Sequence, residues 1–147
     1  MEKNSKQVIV VRSDVNMSIG KTASQVAHAS LKVFLDMAKR QQMDYLDSVD
    51  AMPLLATSDK ELKLSYTEGD AIDKWLNGAF TKIVLKVDSE KELFDVYNKA
   101  LVNHLPTSLI VDNGKTEFNG VPTPTCCAIG PAWNDEIDAI TKDLELM

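Results

Sequence analysis

The order of segments along the chain predicts an α/β protein: a three-layer fold with a four-stranded mixed sheet and helices on both faces. Three observations carry this. Four short runs rich in β-branched and apolar residues, QVIVVRS, FTKIVLKV, TSLIVD and TCCAIGP, read as strands. Two of the intervals between them are helical in pattern and long enough for strand–helix–strand units. Turn formers and breakers bound the runs, Gly130-Pro131 being the plainest.

Each element follows from its residues. The first strand spans 7–13. A helix starts near Gly20 and sets Ala23, Ala27, Leu31, Phe34 and Ala38 at three-to-four spacing as its apolar face. Residues 41–66 have no clear period and read as a variable surface excursion with one short helix. EGDAIDKWLNG (68–78) reads as a helix closing at Gly78. The second strand covers 80–87. Ser89 with Glu92 makes a capping box for the next helix, and Pro106 stops it. The third strand, 107–112, ends in a carboxylate. NGKTEFNGVPTP is turn-rich and reads as a small hairpin. The fourth strand covers 125–131, and NDEIDAITKDLELM closes the chain as a short helix with an extended end. There is no internal repeat or low-complexity stretch, so residues 1–147 read as one domain.

Composition narrows the class. The chain has 147 residues, 44% hydrophobic and 26% charged, enough for one ordinary core. Its apolar runs reach about six residues, far short of a membrane span. MEKNSKQ lacks a signal-peptide core, which implies a cytoplasmic protein. Cys126 and Cys127 are adjacent, and strand neighbours face opposite ways, so they suit neither a mutual disulfide nor a metal pair. Buried filler is the reading for at least one of them. Two histidines and no spaced cluster argue against zinc. A net charge of −6 argues against nucleic acid, but its distribution is uneven. Residues 1–40 hold seven Lys/Arg against three Asp/Glu, and the rest of the chain nine against nineteen. A basic lobe on an acidic body can receive a polyanion.

MSIGKTASQVAHAS (17–30) carries the chemistry. Gly20-Lys21-Thr22 ends like a triphosphate-binding loop, but the required earlier glycine is Val15. The intervening residues are bulky, so that reading fails. Lys21 then sits in a helix's first turn, where a cation is disfavoured by the dipole. It either points to water or, with the helix end, holds one anion: a phosphate or a developing oxyanion. Lys21, Gln25, His28 and Lys32 form one polar stripe at i, i+4, i+7 and i+11. From the residues alone, a solvated face is the simpler account of that stripe.

The same segment resembles the signature of the archaeal-and-eukaryotic type of peptidyl-tRNA hydrolase, whose helix opens Met-x-x-Gly-Lys-x-Ala-x-Gln-x-x-His-Ala. Three further segments match in order. KIVLKVDSEKEL looks like that family's second strand and following helix start. LPTSLIVDNGKTEF resembles its Leu-Ile-x-Asp-Ala-Gly-Arg-Thr segment, and TPTCCAIGP its Thr-x-Thr-Val-Leu-Ala-Ile-Gly-Pro strand. The resemblance runs from residue 7 to residue 143. It implies a four-stranded mixed sheet between helices, often dimeric, that cleaves the ester joining a peptide to the tRNA 3′ ribose. It implies peptidyl-tRNA as the partner and no metal or organic cofactor. Matched position by position, it assigns Lys21, Asp112, Thr116 and Thr125 to catalysis, and Gly20, Gln25, His28, Lys32 and Lys115 to substrate binding.

The residue types fit ester hydrolysis, which needs an oriented water and donors for a tetrahedral oxyanion. Asp112 can hold the water, Lys21 can supply positive charge, and the two threonine hydroxyls can relay or donate hydrogen bonds. No aromatic is marked for base stacking by the sequence; Trp133 is one candidate, with core packing the simpler account of it. Departures from the pattern are Asn113 for alanine, Lys115 for arginine and Glu117 for glutamine, with one extra residue between Glu117 and Thr123. The alternative reading is therefore a non-catalytic RNA-binding or protein-interaction relative of the same fold.

Overall fold

A computed structural model describes residues 2–48 and 59–147. Its elements are β1 (Ser5–Arg12), α1 (Ile19–Ser48), α2 (Ala71–Leu76), β2 (Lys82–Val87), α3 (Glu90–Val102), β3 (Thr107–Asp112), β4 (Thr123–Trp133), α4 (Asn134–Thr141) and β5 (Glu145–Leu146). The strands form one mixed sheet in the order β3-β4-β1-β2-β5. β1 and β2 are parallel, and the β1–β4, β3–β4 and β2–β5 pairs are antiparallel. The sheet therefore has five strands rather than four. The fifth is the extended end of the chain, whose two residues join the edge of β2. Two residues carry too little pattern to be read as a strand.

Alternation along β1 splits the core into two layers. Val8 and Val10 face one way, packing with Leu85, Val87, Leu93, Val96, Ala100 and Ile137 under α3 and α4. Ile9 and Val11 face the other, packing with Ala29, Val33, Ile110, Cys126 and Ala128 under α1. Cys126 and Cys127 fall on opposite faces as strand neighbours should, and both are buried. Burial pushes the Cys126 thiol up to about 12 and Cys127 further still, so both stay protonated. No helix among the described residues is long and apolar enough to cross a membrane.

α1 departs from its predicted form in two ways. Its buried face is Gln25, Ala29, Val33 and Ala38. Ala23, Ala27 and Leu31 instead line an apolar groove with Phe34, Trp75 and Phe80, and Leu31 is largely exposed. Of the predicted face only Ala38 is buried, so the period holds while the phase is shifted over most of the helix. The sheet takes the side of the helix that can also form polar bonds. Ser30 Oγ donates to Gln7 Oε1, Gln7 Nε2 donates to Ser30 O, and Ser108 Oγ donates to Ala29 O. The helix also runs on to Ser48, so residues 41–48 belong to it. Those last turns lie off the sheet and are mostly exposed, so nothing selects an apolar period there. Residues 49–58 lie outside the described structure. Residues 59–67 have no regular structure, and Gln41 exchanges two hydrogen bonds with the main chain of Ser65. The turn-rich stretch 113–122 forms no strands of its own and connects β3 to β4.

The capping box is present with one shift. Ser89 Oγ accepts from Glu92 N at 3.1 Å, while Glu92 Oε2 accepts from Asp88 N rather than from the cap residue itself. Ser89→Ala removes that acceptor from α3 and should cost about 1 kcal/mol in urea unfolding, with the fold unchanged by circular dichroism.

Candidate active site

The site lies where the start of α1 meets the end of β3. Ser18 caps the helix: its Oγ accepts from Lys21 N at 3.1 Å, and its carbonyl accepts from Thr22 N. β3 delivers Asp112 to the same side. The Lys21 ammonium donates to Asp112 Oδ1 at 2.7 Å and to Thr116 Oγ1 at 2.9 Å. Two residues 91 apart in sequence thus form a largely buried ion pair, with side chains 12% and 9% exposed.

The Asp112 carboxylate is over-supplied with donors. Besides Lys21, Oδ1 accepts from Gln25 Nε2 at 3.3 Å, and Oδ2 accepts from Gly114 N at 2.9 Å. The lysine bond lowers the carboxyl's pKa most, burial opposes it, and the Gly114 and Gln25 bonds lower it further. Its net pKa lies below the ordinary value, so the group is ionised at neutral pH. The Asp112–Gly114 turn needs glycine. Gly114 has φ +79°, and a Cβ there would lie 2.4 Å from Val121 O.

Gln25 is 2% exposed and is no part of a solvated stripe. It bridges Asp112 to Thr125, whose Oγ1 donates to Gln25 Oε1 at 2.5 Å. Thr125 itself is 0% exposed, so its hydroxyl acts on Gln25 and not at the surface. A bulge explains how it gets there. Ile110 pairs with Cys126 and Val111 with Pro124, which leaves Thr125 as the extra residue of β4. Thr125 and Cys126 can then both face α1, and the Cys126 thiol donates to Gln25 O. Arg12 steadies the strand beside the bulge. Its guanidinium donates to Pro124 O and grips Asp14 through two bonds, which raise the Arg12 pKa and lower that of Asp14.

The other expected residues spread out. Gly20 lies in the exposed first turn of α1. His28 is exposed, seven residues and roughly 10 Å further along the helix than Lys21. Lys32 is paired with Asp36 at 2.6 Å. Lys115 is exposed in the loop after Asp112, its amide donating to Asn113 Oδ1. Trp133 sits at the opposite end of β4 from Thr125, roughly 25 Å away by strand rise. There Trp133 lies under Lys3, so it cannot serve this site. The aromatic near Lys21 is Phe118, with 5.8 Å from Nζ to the ring centroid.

Three site residues escaped sequence reasoning. Phe118 sits in a loop with no pattern to mark it. Ser18 has the residue type and the spacing, three before Lys21, of a helix cap, which is the signal that marks it. Glu117 stood out only as a misplaced negative charge, but its carboxylate accepts from Ser18 N at 3.2 Å and Ser18 Oγ at 2.6 Å. It therefore clamps the loop to the helix start and offsets the dipole there. No group of three or more His, Cys, Asp or Glu among the described residues could hold a metal ion.

An α/β sheet with a lysine–aspartate centre at a strand end, backed by a buried amide and hydroxyls, defines a polar site suited to an anionic or ester-bearing substrate. Comparison with known proteins narrows that class. The family model described as Peptidyl-tRNA hydrolase PTH2 matches residues 5–147. A peptidyl-tRNA hydrolase of Halobacterium salinarum is 38% identical over 141 residues, covering 96% of this chain and 98% of that protein. Those of Methanocaldococcus jannaschii and Sulfolobus acidocaldarius are 38% and 37% identical over 142 residues, each alignment covering 97% of this chain and 99% of the relative. The chain belongs to the peptidyl-tRNA hydrolase family.

The depressed Asp112 carboxyl makes a pH prediction. Its folded pKa lies below the unfolded value of about 3.9, so its contribution is fully present above that pH and is lost as pH falls through the folded value. The stability gap between wild type and Asp112→Asn in urea unfolding should be widest near neutrality and close on acidification. A gap that stays constant down to pH 2 would contradict the ion-pair account.

Proposed function

We propose that this chain, acting as a single domain, hydrolyses the ester between peptide and tRNA in peptidyl-tRNA and so recycles tRNA from aborted translation. The observation that carries the reading is the 2.7 Å contact between Lys21 and Asp112, with Thr116 on the same ammonium and Gln25 on the same carboxylate.

In the reaction, a water oxygen joins the peptide carbonyl, the bond from that carbonyl to the ribose oxygen breaks, and a proton from the water ends on the ribose oxygen. Asp112 is ionised and held by Lys21, Gln25 and the Gly114 amide, and its remaining lone pairs orient the water. Lys21 spends two of its three N–H bonds on Asp112 and Thr116 and offers the third to the oxyanion. Thr116 is exposed and within reach of substrate. Thr125 acts through Gln25, fixing the amide that holds the carboxylate. Gly20, His28, Lys32 and Lys115 extend the contact surface along α1 and the neighbouring loop, and Phe118 offers a ring for stacking beside Lys21. The family resemblance brings a homodimer into the reading, and the N-terminal sequence a cytoplasmic setting. The exposed apolar groove along α1 supports a second copy.

Lys21→Ala and Asp112→Ala should each lower kcat by about 10²–10³ in release of an N-blocked aminoacyl group from tRNA. Both variants should retain much of their tRNA affinity. Wild-type protein that binds tRNA but releases nothing would favour the non-catalytic alternative.

Binding should weaken with salt as counterions are released. Lys6, Arg12, Lys21 and Lys32 are already bound to carboxylates, so a titration of affinity against ionic strength should give a slope shallower than the seven Lys/Arg of residues 1–40 would imply. A flat titration would count against tRNA.

A further inference from the structure

Among the described residues, the outer edge of β3 is an open strand edge that ends at the site. β3 is a terminal strand of the sheet and, among the described residues, pairs with β4 alone. The bond from Gly130 N to Pro106 O sets the phase of that ladder. Pro106, Ser108 and Ile110 turn their main chain towards β4, so Thr107, Leu109 and Val111 turn their N–H and C=O groups outward. Exposed edges are usually blunted by short length, lysine or proline. The opposite edge, β5, is only two residues long. β3 has six residues, none of them Lys or Pro, and Val111 is 52% exposed. This edge runs directly into Asp112.

We propose that the edge of β3 binds the peptide portion of the substrate as an added parallel strand and delivers its C-terminal ester to Lys21 and Asp112. The inference rests on the esterase reading of the site. The direction follows from the chemistry. The scissile ester is at the peptide's C-terminus, and β3 points its own C-terminal end at the site. An antiparallel peptide would present its N-terminus instead. Main-chain pairing also suits a substrate class in which the peptide sequence is arbitrary, because every peptide shares the same donors and acceptors. In a parallel pair, only every second residue of the added strand exchanges bonds with its neighbour.

That alternation is the test. An N-acetylated pentapeptidyl-tRNA series carries a single N-methyl amide, moved one residue at a time, and is assayed with the wild-type protein. KM should rise about tenfold at alternate positions, the loss of one hydrogen bond, and stay near the parent between them. Val111→Pro removes one outward N–H without touching the β3–β4 ladder. It should raise KM for the pentapeptidyl substrate and leave that for N-acetyl-aminoacyl-tRNA unchanged. Turnover with a flat N-methyl profile would overturn the edge proposal alone. Failure to turn over any peptidyl-tRNA would overturn the reading of the site and the edge proposal with it.

Discussion

The Asp112 carboxylate is the joint on which the site depends. It takes bonds from Lys21 and Gln25 of α1 and from the Gly114 amide beyond its own strand. A carboxylate held by so many donors stays ionised, and an ionised group buried to this degree needs those donors in place. Helix, strand and loop therefore have one arrangement that satisfies it. The bulge at Thr125 serves the same end, because it lets a β4 hydroxyl fix the Gln25 amide that the carboxylate uses.

The first turn of α1 shows how the chain tolerates a lysine where a helix prefers negative charge. Ser18 caps the main chain, and Glu117 reaches from another loop to hold Ser18 and supply the missing charge. The Lys21 side chain is directed at Asp112 and Thr116, so its position is fixed by partners from outside the helix. Residues that look like departures from a family pattern can thus be structural: Glu117 ties the loop after β3 to the start of α1. Thr116 and Phe118, from one loop, flank the Lys21 ammonium.

Charge on the surface is less one-sided than the sequence suggests. The basic excess of the first forty residues is partly consumed by Asp14, Asp36 and Asp138, and Lys3 lies at the far end of the sheet with Trp133. The Lys21 end therefore presents one ammonium, itself paired with Asp112, rather than a broad basic field.

The sequence by itself determined the α/β class, four of the five strands, the capped third helix and the family, because each rests on local pattern: β-branched runs, a Ser-x-x-Glu box and four collinear motifs. Lys21 and Asp112 were picked out through that family resemblance, since residue type alone favoured a solvated lysine and a turn-forming aspartate. Only the tertiary structure decided which face of α1 is buried. Two faces of that helix carry small apolar residues, and the choice fell to polar bonds from Gln7 and Ser108 that no period reveals. The same reason hid the roles of Gln25, Thr125, Glu117 and Phe118. Each is defined by a partner distant in sequence, and the fold alone brings those partners within hydrogen-bond or ring-contact distance.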